Sequence, residues 1–194
     1  SAPGEFKIWC ADARINDRGI KTDLALAAAA SEANGDVKKD ALAEIGRITG
    51  AANPNSRNQL LAWLNQQPHP ALETLKDIRA ETVRDLLKIG GLPATARRVL
   101  ELRQDTSLTT AGKYDAALRR CSEDGRLRGS FRYFGAHTGR WSGQGVQLQN
   151  LARDSAKTDT EAVELTTRTV IGETVTAQDL KKLVRSMFVG PFTV

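Results

Sequence analysis

The residues best equipped for chemistry in this sequence are gathered in one stretch, His137-Thr-Gly-Arg-Trp-Ser-Gly-Gln-Gly-Val-Gln-Leu-Gln-Asn150. Arg140 carries a permanently charged guanidinium that can only donate hydrogen bonds, while the amides of Gln149 and Asn150 both donate and accept. Thr138 and Ser142 add hydroxyls on either side of the arginine. The glycines among them are too frequent for a helix, and the stretch is too polar for a core strand. It contains no acid. Such a loop presents donors, and the rest of the chain has to say to what.

Other residues that could carry chemistry are poorly placed for it. His69 and His137 are isolated, with no Cys or His at metal-ligand spacing. His69 lies between two prolines and reads as a loop residue. Asp17 and Asp23 read as a turn residue and a helix cap. Ser142 lacks the Gly-x-Ser-x-Gly setting of a nucleophile elbow, and no His–carboxylate pair can be assigned to it. No Gly-x-x-x-x-Gly-Lys loop is present. Cys10 and Cys121 are too few for a disulfide framework and read as reduced thiols of a cytosolic protein. The sequence offers no self-contained active site.

Charge narrows the ligand class. The chain carries +5 over 194 residues. Between Lys113 and Arg140 stand seven basic residues (Lys113, Arg119, Arg120, Arg126, Arg128, Arg132, Arg140) and three acids (Asp115, Glu123, Asp124), so 7 − 3 = +4 of that excess is local. Tyr114, Phe131, Tyr133, Phe134 and Trp141 are interleaved with it. Basic residues among aromatics suit a nucleic acid, whose phosphates pair with Arg and Lys and release counterions. The competing reading is a solvated strand face with its aromatics in the core. No apolar run approaches the length of about 20 residues that spans a bilayer, and no signal peptide is visible.

These residues need elements to hold them. The length suits one large domain or two small ones, and abundant Ala favours helices. Residues 5–20 end in the turn signal Asp17-Arg-Gly19. Asp23 opens an Ala-rich segment to about Gly50, either one long helix interrupted near Gly35-Asp36 or two shorter ones. Ser56 with Gln59 completes a capping-box pattern before Leu60, Leu61 and Leu64, and Pro68-His-Pro70 ends that helix. Helices are expected at about 80–88, from Pro93 through Arg103, and over 107–121. Glu123-Asp-Gly125 is a hairpin-type turn, and Arg126–Phe134 alternates as a strand. Thr176 with Asp179 starts a last helix whose Leu180, Leu183, Val184, Met187 and Phe188 form an apolar stripe. The expected class is α+β, mainly helical with a small antiparallel sheet. The abrupt start at Ser1-Ala-Pro-Gly and the extended run Gly190-Pro-Phe-Thr-Val194 have the character of a piece cut from a longer protein.

Thr138-Gly-Arg-Trp-Ser142 followed by Leu148-Gln-Asn-Leu151 resembles the TGR-x-S … LQN motif of family A, DNA polymerase I-like, DNA polymerases, in its phage and prophage form. Arg14–Asp23 is similar to the segment where the polymerase region of that family begins. Asn53-Pro-Asn-Ser-Arg-Asn-Gln-Leu-Leu61 is similar to a thumb segment, and Asp124-Gly-Arg-Leu-Arg128 to the strand leading to the central motif. Four segments in the family's order cover most of the chain. Val146-Gln147 departs from the pair common in the family.

The resemblance implies a lead-in over 1–22, a helical thumb-like region over 23–122 and a partial palm over 123–194, without the catalytic carboxylates. It implies a fragment that holds primer–template DNA and is inactive alone. Mg2+ and dNTP belong to the parent enzyme, in a bacterial cytoplasm, and surfaces left bare by truncation could drive self-association. In the family, Arg140, Gln149 and Asn150 stand where residues contact DNA near the primer end. Thr138 and Ser142 would serve phosphates or the loop, and Lys113 and Tyr114 resemble thumb-base residues that meet the duplex. A stand-alone nucleic-acid module derived from a polymerase, and an interaction domain with an incidental basic strand, are the alternatives.

Overall fold

The computed structural model describes residues 3–107, 112–151 and 155–189. It is mainly helical with two small antiparallel sheets, so the α+β expectation holds. Chain packing separates two compact units, Ser1–Ala33 with Thr109–Val194, and Asn34–Leu108.

The first unit carries the Gly-rich stretch. It opens with α1 (Pro3–Arg18), where the sequence shows only mixed polarity. Gly19, at φ +65°, ends the helix in the left-handed region, and Ile20–Lys21 follow as β1. β1 pairs antiparallel with β2 (Arg126–Leu127), Ile20 opposite Leu127. The Asp23 carboxylate then accepts from the Leu26 amide and caps α2 (Leu24–Thr49). α2 is one uninterrupted helix: Gly35 and Asp36 lower its propensity by roughly 1 kcal/mol without breaking it.

The core of this unit joins Leu26, Ala27 and Ala30 of α2 to α7 (Gly112–Arg120), α8 (Asp159–Val170) and α9 (Ala177–Leu183). Of the expected stripe, Leu180, Leu183, Val184 and Met187 are buried and Phe188 is half-buried, though α9 stops at Leu183 and turns carry the chain onward. Thr176 and Asp179 form the expected capping box. α8 has no counterpart in the sequence reading. Its start is set by Thr158, whose hydroxyl accepts from the Glu161 amide. Tyr114 is completely buried, and its hydroxyl donates to the Leu180 carbonyl at 2.6 Å.

Residues Arg126–Phe134 do not form the single strand that their alternation predicts. Gly129 at φ +62° breaks the run, leaving β2 and β3 (Phe131–Arg132) with different partners. A strand that serves two sheets must bend between them, and here a glycine in the left-handed region makes the bend.

The second unit packs the later part of α2 against α3 (Arg57–Leu64), α4 (Pro70–Glu73), α5 (Ala80–Leu87) and α6 (Ala94–Thr106), through Ile45, Leu60, Leu64, Leu72, Val83 and Leu100. Ser56 caps α3 as expected, accepting from the Gln59 amide. The Gln59 side chain, however, accepts from Asn53 rather than from Ser56, so the box closes over the turn. His69 is not free loop: its Nδ1 accepts from the Ala71 amide and starts α4. Arg98 meets Glu44 with two hydrogen bonds of 2.8 Å and ties α6 to α2. The helix expected over 107–121 is present as α7 from Gly112; residues 108–111 at its start and the run Gly190–Val194 lie outside the described residues.

Removing the Tyr114 hydroxyl leaves the Leu180 carbonyl buried without its donor. Tyr114→Phe is expected to lower unfolding stability by about 1–3 kcal/mol, read as a reduced urea midpoint at unchanged slope.

Candidate nucleic-acid interface

The Gly-rich stretch folds as one arm of a hairpin and the turn after it. β4 (Ser142–Gly143) pairs antiparallel with β3, Phe131 opposite Gly143 and Arg132 opposite Ser142. The far edge of β3 is closed by a side chain. Asn16 of α1 donates its amide to the Phe131 carbonyl at 2.9 Å and accepts the Phe131 N–H at 3.0 Å. One amide thereby does the work of a neighbouring strand, and it fixes the hairpin to α1.

The tip is a tight turn in which the Gly139 amide donates to the Ala136 carbonyl and the Ala136 amide to Arg140. Thr138 and Arg140 are exposed on it. Arg140 has no side-chain partner among the described residues. Its neighbour Trp141 packs edge-on against Tyr133, ring centres 5.7 Å apart, yet stays 41% exposed.

Each glycine here makes room for a particular side chain. A Cβ on Gly135 would strike the Ser142 hydroxyl, and one on Gly143 would strike the Gln149 amide. Gly145, at φ +65°, lies under the guanidinium of Arg120, whose Nε would be 2.6 Å from an added Cβ. The glycines are therefore the seats of polar groups as well as hinges.

Beyond Gly145 the chain dips into the core. Val146 is buried, and its carbonyl accepts from Lys113 Nζ at 2.8 Å. Burial lowers the pKa of this ammonium. Gln147, at φ +50°, then turns the chain into a short 3-10 helix, Leu148–Asn150. Asn150 donates to the Gln147 side chain at 3.0 Å, while Gln149 lies across Gly143. Both Gln149 and Asn150 are exposed, and Ser142 is half-buried.

The structure thus gathers Thr138, Arg140, Ser142, Gln149 and Asn150 on the hairpin and its following turn. It places Lys113 beneath that turn as a support, and Tyr114 in the core with its hydroxyl already engaged. The local basic excess divides the same way. Arg126 donates to the carbonyls of Arg18 and Gly19, and Arg128 to Asp17 and to both oxygens of Asp124. Arg119, Arg120, Arg132 and Arg140 are exposed, with no side-chain hydrogen bond or ion pair among the described residues. Asn16 and Arg120 are site residues that sequence reasoning missed. Asn16 lies within the lead-in segment, where an amide among helix-forming residues was the only local sign of it.

Among the described residues, no three His, Cys, Asp or Glu side chains come together in a way that could hold a metal ion. The described residues therefore give the Mg2+ of the implied parent enzyme no ligand set. Among the described residues, no helix is long and apolar enough to cross a membrane.

The chain is 35% identical over 151 residues to a protein of Bacillus phage SP02 named DNA polymerase. The match covers 77% of this chain but 22% of that protein, so the chain spans about a fifth of the relative's length. No family model matches the chain, and no solved structure does.

Two outcomes follow from the geometry. The Arg128 guanidinium holds the Asp124 carboxyl down to about 2. Because the folded value lies below the unfolded one, the stabilisation is complete above about pH 4 and is lost as pH falls towards 2. Acid unfolding of Asp124→Asn should lack that part of the pH dependence, measured by circular dichroism. In addition, Gly143→Ala should displace the Gln149 amide, seen as a shift of its side-chain NH2 resonances with the remaining spectrum largely preserved.

Proposed function

We propose that this chain is the duplex-holding part of a family A-type DNA polymerase, gripping primer–template DNA near the primer end. The observation that carries this reading is Arg140: an exposed guanidinium at the tip of a braced hairpin, with no side-chain partner among the described residues, in a chain similar over 151 residues to a phage DNA polymerase. A cation without a local carboxylate is available to a phosphate or to an acceptor in a groove.

A polymerase has to hold every sequence alike. Phosphate contacts carry no sequence information, and the minor groove shows nearly the same acceptors for A·T and T·A pairs. Arg140 and the amides of Gln149 and Asn150 can donate to those acceptors whatever the base. The Asn150 amide, bonded to Gln147 here, would exchange that exposed contact for one to DNA at little cost. Thr138 and Ser142 flank the arginine with hydroxyls for phosphate or loop contacts. Lys113 and Tyr114 act from beneath, positioning the turn and its helix. Arg119, Arg120 and Arg132 add cations to the same unit.

In this reading the rest of the polymerase supplies the carboxylates, Mg2+ and dNTP, which activate the primer hydroxyl and the leaving pyrophosphate. The present chain contributes alignment of the primer end, and alignment alone lowers a reaction barrier by several kcal/mol. Thumb-like helices and a partial palm are the parts of such an enzyme that its elements fit.

The purified chain is expected to bind a primed duplex irrespective of sequence, with an affinity that falls linearly on a log–log plot against salt. Arg140→Ala should weaken binding on the order of tenfold for all sequences. Fluorescence anisotropy with two unrelated duplexes measures both; absence of duplex binding at low salt would refute the reading for this chain.

A further inference from the structure

The aromatic rings of the hairpin and of α1 stand together outside the core. Phe6, Trp9 and Phe134 are each more than half exposed. Tyr133 meets Phe134 and Trp141 edge-on, with ring centres 6.0 and 5.7 Å away. On α1, Phe6 and Trp9 lie three positions apart and so share a face, their rings 6.1 Å apart and within 19° of parallel. The two sets meet: Phe6, Trp9, Tyr133 and Phe134, with Glu5, line an open cleft of about 380 Å³. Asn16 ties α1 to Phe131, so the cleft is built into the unit before anything enters it.

Phe134 adds a second observation. Its φ is +54°, in the left-handed region that a bulky residue rarely adopts. Burial does not offset this strain, since the ring faces solvent. The conformation lays the ring along Gly139, where an added Cβ would come within 3.0 Å of it. A strained residue thereby sets an exposed aromatic beside the Arg140 turn, and strain of this kind gathers at ligand sites.

Charge selects the occupant. Residues 131–143 carry Arg132 and Arg140 and no acid, and both arginines are exposed. Flat rings beside cations suit an unpaired nucleotide, its base on a ring and its phosphate on a guanidinium. Glu5, the acid lining the cleft, can accept from the exocyclic amino group of a base. A paired duplex offers no base face to such rings, because its bases already stack on one another. We propose that this cleft is a stacking site for unpaired bases of a single-stranded nucleic acid. The proposal rests on the nucleic-acid reading given to Arg140 and adds to it a second ligand form, held by different residues.

Binding of the full chain to a labelled single-stranded oligodeoxycytidylate of about ten nucleotides, followed by fluorescence anisotropy, tests the proposal. Wild type should bind it and show quenched tryptophan fluorescence. Trp9→Leu and Phe6→Leu stay apolar at exposed positions but remove a flat face. Each should lower single-strand affinity on the order of tenfold, with blunt-duplex affinity retained. If one variant fails to fold, the other decides. The two ligands tell the two failures apart. No binding of wild type to blunt duplex refutes the duplex reading, whereas single-strand affinity equal in wild type and both variants overturns the cleft. A wild type that dimerises through these rings in sedimentation, with single-strand affinity unchanged in the variants, makes a second copy the occupant and likewise overturns it.

Discussion

Two adjacent residues of α7 settle backbone groups that would otherwise be stranded, and the hairpin depends on both. The last carbonyls of a helix have no intrahelical donor. Tyr114 gives its hydroxyl to one of them, Leu180 of α9, inside the core. Lys113 gives its ammonium to the Val146 carbonyl, where the Gly-rich stretch enters that core. A buried carbonyl left unmet is costly, so α7 fixes both the floor of the unit and the point at which the loop leaves it. From there Val146 anchors one end of the loop while Asn16 holds the paired arm, and the polar residues between them are free to face outward.

That division of labour explains why charge alone is a poor guide to the interface. Arg126 and Arg128 belong to the same basic run as Arg132, yet their guanidinium groups bind the carbonyls at the end of α1 and the carboxylate of the turn before β2. The cations with no such duty stand at the end of α7 and on the hairpin. Sorting them needs coordinates, since sequence lists all as arginines within a few positions of one another.

Much of the fold could be read from local signals. The caps at Asp23, Ser56 and Thr176 act over three residues, and the α9 stripe follows helical spacing, so the chain near them contains the information. The polar character of the Gly-rich loop was also visible, because no regular element tolerates that mixture. What escaped is non-local. The break at Gly129 follows from β2 and β3 having different partners, which no alternation of residues records. Asn16 acts on Phe131, and Arg120 on Gly145, across loops whose closure is a property of the whole unit. Only the resemblance makes Tyr114 a duplex contact, and an isolated Tyr beside a Lys carries no local mark of the burial that the structure gives it.

The Asn16–Phe131 contact bridges 115 positions, and the Asn34–Leu108 unit lies inside that span. On a chain emerging from the ribosome, α1 is made early and then waits while the helices of the intervening unit complete their own short-range packing. The hairpin's brace therefore closes a long loop, a step that chain entropy makes slow and late. Until it closes, the Arg140 turn has only one anchored end, so competence to grip a polyanion is acquired as one of the last events of folding, and a short peptide copied from the stretch would not possess it.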